Sequence, residues 1–148
     1  MASPAAIFNI FQDATIVAIT GQIPGTLCLE VDCDHLRDRL EGPGNRFFLN
    51  IADCARFAYK PSSNHAVVMT ELAAIAARRL WIRDADQHEG LFVVHCSEHI
   101  ANGDDGNLEV VADQIRITID NGREISASEL EEAAEEYWSG LRSQQNPI

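Results

Sequence analysis

Turn-forming residues interrupt this chain so often that most segments between them have the length of a strand or a short helix. The turn segments are GQIPG at 21–25, EGPGN at 41–45, KPSSN at 60–64, NGDDGN at 102–107 and DNG at 120–122. Glycine reaches positive φ at little steric cost and proline fixes φ, so such clusters end regular structure. Short apolar runs between frequent turns are typical of β-rich proteins.

The segment TLCLEVDC, residues 26–33, alternates between apolar and polar side chains. Its apolar positions are Leu27, Leu29, Val31 and Cys33. An apolar residue at every second position predicts a half-buried antiparallel strand with Cys33 inside. Further strands are predicted at 14–20, 46–52, 56–60, 80–85, 91–97, 107–112 and 115–119. The last two alternate in opposite phase, which predicts a turn or bulge at Asp113–Gln114. Asn121–Gly122 predicts a type I′ hairpin turn.

Three segments predict helices. Residues 34–40 give a short turn that Asp34 caps, and the alanine-rich segment 70–80 gives a helix that Thr70 caps. The segment SELEEAAEEYWSGL, 128–141, places apolar residues at i, i+3, i+4, i+7, i+8 and i+11, with Ser128 and Glu131 spaced as a capping box. Gly140 is predicted to end it.

These elements predict an α+β fold in a single domain over residues 1–148. We expect an antiparallel, β-rich sheet or small sandwich of about seven to nine strands. A mid-chain helix and the C-terminal amphipathic helix would cover one of its faces.

The negative charge is concentrated in the second half of the chain. Residues 1–83 hold eight acidic and eight basic residues, whereas residues 84–148 hold fifteen acidic residues and three arginines, which accounts for the net charge of −12. Phosphate and anionic lipid surfaces are bound mainly through clustered lysine and arginine, so we expect neither nucleic acid nor membrane as a partner. A basic protein would be attracted instead. The candidate contact residues are Glu131, Glu132, Glu135 and Glu136.

A cytoplasmic location is expected from three features. No apolar run approaches the roughly 20 residues that span a bilayer, and the N-terminal segment MASPAAIFNIF lacks the basic residue of a signal peptide. The cysteines at 28, 33, 54 and 96 form no C-x-x-C pair, so free thiols are expected.

The segment HCSEH, residues 95–99, contains the side-chain types that bind zinc or form nucleophile–base pairs. If residues 91–97 form a strand, His95 and Cys96 point to opposite faces, and an extended chain separates the Cα atoms of His95 and His99 by about 13 Å. His99 is expected in the following loop. The remaining histidines, at 35, 65 and 88, show no ligand spacing. An alternative function is therefore a small metal-dependent enzyme or metal-binding protein that uses His95 and His99 with a third ligand.

Known catalytic motifs are absent from the sequence. There is no G-x-S-x-G elbow, P-loop, G-x-G-x-x-G segment or kinase signature, and Asp104–Asp105 lies in a segment that lacks the ligand pattern of a calcium loop. A protein without catalytic activity and without a cofactor is favoured over an enzyme.

The segment FQDATIVAI, residues 11–19, resembles the opening of small uncharacterised bacterial β-rich proteins, some of which are grouped with toxin-system immunity proteins. Gln12 stands where those proteins usually have histidine. The resemblance implies a non-catalytic binding module in the cytosol. Our leading hypothesis is an acidic, immunity-like protein-binding module, and a second alternative is a structural subunit of a homo-oligomer that pairs strand edges between copies.

Overall fold

The structure, a computed structural model, describes residues 3–40, 44–64 and 66–145, the last five as helix backbone only. Most of the turn predicted at 41–45, and His65, lie outside the described residues. The strands are β1 Thr15–Gly21, β2 Gly25–Asp32, β3 Arg46–Cys54, β4 Arg56–Pro61, β5 Leu80–His88, β6 Leu91–Glu98, β7 Asp105–Val111, β8 Gln114–Ile119 and β9 Glu124–Ile125. The helices are α1 Pro4–Ile10, α2 Asp34–Arg37, α3 Leu72–Ala77 and α4 Ala127–Gln145.

All nine described strands belong to one antiparallel sheet with the order β4-β7-β6-β5-β1-β2-β3-β8-β9. The predicted α+β class with a β-rich antiparallel sheet, a mid-chain helix and a C-terminal helix is confirmed. Strands of the first half of the chain pair with strands of the second half, since β3 pairs with β8 and β4 pairs with β7. Strands β3 and β4 stand six places apart in this order, yet only Ala55 separates them along the chain, and only residues 112 and 113 separate β7 from β8. Because consecutive Cα atoms are about 3.8 Å apart, the sheet must curl until the ends of these strands lie close together.

One face of the sheet carries the core. Leu27, Leu29 and Val31 of β2 are fully buried, as their alternation predicts, and Cys33 is buried just beyond them. Helix α1 lies across this face. Its Phe8 ring lies 5.7 Å from the ring of Phe92 on β6, and Phe11, just after the helix, packs edge-on at 5.0 Å against Phe47 on β3. Because β6 and β3 are four strands apart in the sheet, the aromatic residues of this short segment connect its two sides.

The N-terminal helix α1 is absent from the sequence-based predictions, although its start carries a recognisable signal. The hydroxyl of Ser3 accepts a hydrogen bond from the Ala6 amide at 3.2 Å, and Pro4 is the first helical residue. A capping serine followed by proline at the first position is a frequent beginning of a helix.

The helices predicted at 34–40 and 70–80 are both shorter than expected. Helix α2 begins after Cys33, so Asp34 is its first residue and not its cap. Helix α3 begins after Glu71, and the prediction that Thr70 caps it is wrong. Its C-terminal limit follows from Arg79, whose positive φ of 49° turns the chain into β5.

Helix α4 is longer than predicted at both ends. Its cap is Ser126 and not Ser128, because the Ser126 hydroxyl accepts a hydrogen bond from the Glu129 amide at 3.2 Å. The helix runs through Gly140, so the predicted stop there is wrong. Leu130 is buried against the core, while the aromatic residues of the apolar stripe are only half-buried.

The predicted type I′ turn at Asn121–Gly122 is also wrong. The amide of Ile119 donates to the carbonyl of Arg123 at 3.0 Å, which encloses a three-residue loop, and within that loop only Gly122 has positive φ. Such a loop combines a type I turn with a glycine bulge. A two-residue loop with two positive φ values, as a type I′ turn requires, occurs instead at Glu89–Gly90 between β5 and β6.

Candidate functional site

The four glutamates predicted to contact a partner lie together on the outer side of α4. Glu131, Glu132, Glu135 and Glu136 are all exposed, and none forms an ion pair with another residue in the described ranges. Positions i, i+1, i+4 and i+5 occupy one side of a helix, and six residues extend only about 8 Å along its axis. The carboxylates therefore form a compact patch, which we call the α4 acidic patch.

The side of α4 away from the acidic patch is held by the sheet and by α2. Leu130 and Ala133 enter the core, and the Tyr137 ring lies 4.2 Å from the ring of His35 on α2. The guanidinium of Arg39 lies 5.1 Å from the centroid of the same Tyr137 ring. These contacts fix the rotation of the helix and leave the glutamates directed outward.

Some acidic residues elsewhere in the second half are paired with basic residues of the first half. Glu109 on β7 receives Arg56 at 2.7 Å and Lys60 at 3.0 Å, both from β4. Hydrogen bonds from these two residues lower the pKa of Glu109 against the opposing effect of burial. Asp120, in the hairpin loop, pairs with Arg37 at 3.7 Å. The α4 acidic patch, in contrast, has no such basic partner in the part of the chain that the structure describes.

Residues 91–98 form β6, and the two reactive side chains of its HCSEH segment point apart as predicted. Cys96 faces the core and is buried, and burial, with a contribution from the charge of Asp84, raises the pKa of its thiol to about 12. His95 lies on the outer face of the sheet and is partly exposed. A nucleophile–base pair between them is therefore excluded by the strand geometry.

His99 lies just after β6 in the loop where it was expected. Its ring stacks on Trp81 with centroids 5.0 Å apart. Among the described residues it is not part of the one group of three or more histidine, cysteine or carboxylate ligand atoms that lie within 4.8 Å of one another. The predicted pairing of His95 with His99 is therefore not formed.

That group consists of His95, Asp84 and Asp86, and the two aspartates were missed by the sequence analysis. The Nε2 atom of His95 lies 3.1 Å from Oδ2 of Asp86 and 3.7 Å from Oδ1 of Asp84. Its Nδ1 atom lies 2.8 Å from Oδ1 of Asn107 on the neighbouring strand β7. We call the side chains of His95, Asp84 and Asp86 the His95 cluster.

A β-bulge in β5 creates the His95 cluster. Ile82 pairs with Cys96, but the next pair joins Asp84 to His95, so Arg83 is an extra residue without a partner in the register. In a regular ladder Arg83 would stand opposite His95. The bulge replaces a cation with a carboxylate at that position, and it also brings Asp86 to the same face.

The protonation of His95 depends on opposing effects. Burial lowers its pKa, but hydrogen bonds to Asn107 and Asp86 and the charges of both aspartates outweigh that effect, so the pKa is raised overall. A proton on Nε2 would be held between two carboxylates. A cation with affinity for imidazole nitrogen and carboxylate oxygen could take the place of that proton.

A third polar group is formed by Tyr59, Glu98 and Arg78, and its hydroxyl and carboxylate are closed off from solvent. Tyr59 is fully buried and donates a hydrogen bond of 2.7 Å to Oε2 of Glu98, whose side chain is 1% exposed. Arg78 donates to Oε1 of Glu98 at 3.1 Å. The group links β4, β6 and the end of α3, with Tyr59 and Glu98 inside the protein and Arg78 reaching them from the surface.

The two edges of the described sheet offer little unpaired strand to a second copy of the chain. The outer edge of β4 is partly covered because Tyr59 and Met69 exchange two backbone hydrogen bonds of 2.8 Å. Strand β9 has two residues and pairs only with Ile117 and Thr118 of β8. The homo-oligomer alternative stays a prediction.

No protein-family model, curated protein or solved structure matches this chain. None of the helices in the described ranges is both long and apolar enough to cross a membrane. The resemblance to immunity-type proteins therefore stays a prediction, and the function is argued from the geometry of the chain itself.

Proposed function

We propose that this protein is a non-catalytic binding module that uses the α4 acidic patch to bind a basic protein. The proposal rests on four exposed carboxylates on a helix whose opposite side is packed against the core and α2. Among the described residues, no basic side chain is paired with any of the four. An immunity-like role, in which the module covers the basic surface of a toxin, is the specific form that the resemblance of residues 11–19 implies.

The shape of the patch supports a side-chain contact rather than a general electrostatic attraction. A shallow depression of about 330 Å³ is lined by Glu132, Glu135, Glu136 and Ser139. Its carboxylates can accept hydrogen bonds from an arginine or lysine side chain that enters it. The half-buried Trp138 ring lies beside the patch and packs edge to face against Tyr137 at 4.9 Å, so it can offer apolar contact area to the same partner.

Reactive groups that could support the enzyme alternative are poorly placed. Cys33 and Cys96 are buried, and burial raises the pKa of each thiol to about 12. Cys28 is half-buried, and burial together with the charge of Glu30 raises its thiol pKa as well. A thiolate nucleophile is therefore disfavoured near neutral pH at these three positions.

The test is a pull-down from the source cells with the wild-type chain and with a variant that carries Gln at 131, 132, 135 and 136. We expect a basic protein that is retained by the wild type at low salt, released at high salt and absent from the variant. Mutation of exposed charges chiefly alters association rate and its salt dependence. The binding should then be reproduced with the purified partner, with at least a tenfold loss of affinity for the variant.

A matched control separates the patch from net charge. Replacing Glu71, Glu89, Asp113 and Glu124 by their amides removes the same number of charges from positions outside the patch. If the control variant loses the partner to the same extent, or if no partner depends on residues 131–136, the proposal is wrong.

A further inference from the structure

We propose that the His95 cluster binds a divalent transition-metal ion of the zinc type through His95 Nε2 and one carboxylate oxygen each of Asp84 and Asp86. The site lies on the outer face of β5 and β6 and is separate from the α4 acidic patch. The proposal does not depend on the binding function argued above.

The spacing of the ligand atoms fits one ion. A zinc ion bound at about 2.0–2.2 Å holds neighbouring ligand atoms about 3.0–3.4 Å apart in octahedral or tetrahedral geometry. The Nε2 atom of His95 lies 3.1 Å from the Asp86 carboxylate and 3.7 Å from the Asp84 carboxylate. All three ligand atoms lie within 4.8 Å of one another, and the exposed side chain of Asp84 can move to bring its oxygen into the coordination distance.

The neighbouring strand prepares the imidazole for this role. The carbonyl oxygen of the Asn107 amide, 2.8 Å from Nδ1, accepts a hydrogen bond when that nitrogen carries the proton. In the neutral imidazole the lone pair then lies on Nε2, directed at the two carboxylates. Metal-bound histidines are commonly held by an acceptor on the other ring nitrogen.

The donor set selects the class of metal. One imidazole nitrogen and two carboxylate oxygens suit Zn²⁺, Co²⁺ or Ni²⁺, whereas Ca²⁺ requires six to eight oxygen ligands. The guanidinium of the nearby Arg83 lies 3.9 Å from Asp105, which stands opposite Ser97 on β7. Because the cluster is exposed, water would supply the remaining ligands of the ion.

The experiment uses the full chain without a polyhistidine tag, freed of metal and titrated with Zn²⁺ in a calorimeter. We expect one ion per chain, with affinity reduced at least tenfold by His95→Gln and by Asp86→Asn, and about tenfold by Asn107→Ala, as expected for an outer-shell residue. Circular dichroism establishes that each variant is folded. His99→Gln and Asp53→Asn serve as matched controls that keep the wild-type affinity.

A spectroscopic measurement identifies the ligand. In nitrogen-15 spectra of the histidine rings, Zn²⁺ should displace the Nε2 signal of His95 and leave the signals of His99 in place. Absence of one-to-one binding, equal affinity in His95→Gln, or an unmoved His95 signal would each overturn the proposal. The protein would then use the cluster only as an ion pair between imidazolium and carboxylate.

Discussion

The buried pair of Tyr59 and Glu98 offers a quantitative test of what holds this side of the sheet together. The hydroxyl of Tyr59 donates to the Glu98 carboxylate at 2.7 Å. Burial, followed by this hydrogen bond and the charge of Glu98, raises the pKa of Tyr59, so the hydroxyl keeps its proton. A side chain at Gly106 would collide with the Tyr59 hydroxyl, which explains a glycine at that position of β7.

Replacing Tyr59 by Phe removes the donor and leaves a buried carboxylate oxygen without it. A hydrogen bond to a charged group contributes about 1.5–3 kcal/mol, and we expect a loss of about 2 kcal/mol in the free energy of unfolding. The ion pair of Glu98 with Arg78 remains, but the Arg78 side chain is 39% exposed, so solvent screens that pair and limits its compensation. No methylene group is lost, so a cavity contributes little.

The measurement is urea unfolding followed by circular dichroism. With an m-value of about 2 kcal/mol per molar urea, the midpoint should fall by about 1 M while the slope is unchanged. Tyr137→Phe is the matched control, because the other tyrosine is half-buried and its hydroxyl bonds no described residue. A double-mutant cycle with Glu98→Ala should give a coupling energy of about 1 kcal/mol. If Tyr59→Phe stays within about 0.5 kcal/mol of the wild type, the assigned role is refuted.

Three further predictions concern the helices. Gly140→Ala should raise the free energy of unfolding, measured by chemical denaturation, by about 0.5–1 kcal/mol, because Gly140 lies inside α4 and an added Cβ meets open space. If stability does not rise, the helix is not continuous at Gly140. Ser126→Ala should lower the free energy of unfolding by about 1 kcal/mol, because the α4 cap is lost, whereas Ser128→Ala should be nearly neutral. A larger loss for Ser128→Ala than for Ser126→Ala would show that Ser128 is the cap. Burial lowers the pKa of His35, with Arg39 adding to that effect and Asp13 and Asp34 opposing it. The unfolded chain therefore binds the proton of His35 first, so the contribution of His35 to stability should fall as the pH drops below about 6.5. The difference in the free energy of unfolding between the wild type and His35→Gln should shift in that direction when the pH is lowered through about 6.5, and a difference independent of pH would contradict the prediction.

The parts of the fold that the sequence predicts are those where local pattern and burial agree. Alternation in 26–33 predicts the buried side of β2, and the spacing in 128–141 predicts which side of α4 meets the core. Helix ends are less predictable because several residues compete for one cap. Ser126 and Ser128 are both residues of the type that caps a helix, and the direction in which the chain arrives from β9 makes Ser126 the cap. Likewise, Arg79 shows no sequence sign of the positive φ that ends α3 early.

The His95 cluster shows why a site built across strands is harder to predict. Alternation correctly places His95 and Cys96 on opposite faces, but it does not show which residues stand opposite them. That depends on the pairing of β5 with β6 and on the extra residue Arg83, which shifts the register by one. The α4 acidic patch was predictable because its members lie within six consecutive residues of one helix.

The interleaved order of the strands has a consequence for how the chain reaches this structure. Until β8 has been synthesised, β3 can pair only with β2, because its other neighbour includes Thr118, which stands opposite Phe48. In the same way, β4 cannot pair with its neighbour in the sheet before β7 has been synthesised. Pairings so distant along the chain require closure of long loops before they give any stabilisation, so folding is expected on the order of milliseconds to seconds. Strands made early expose their open edges to other molecules during that interval. A truncated chain that stops before residue 105 would leave β3 and β4 permanently without those neighbours, and it should aggregate rather than fold.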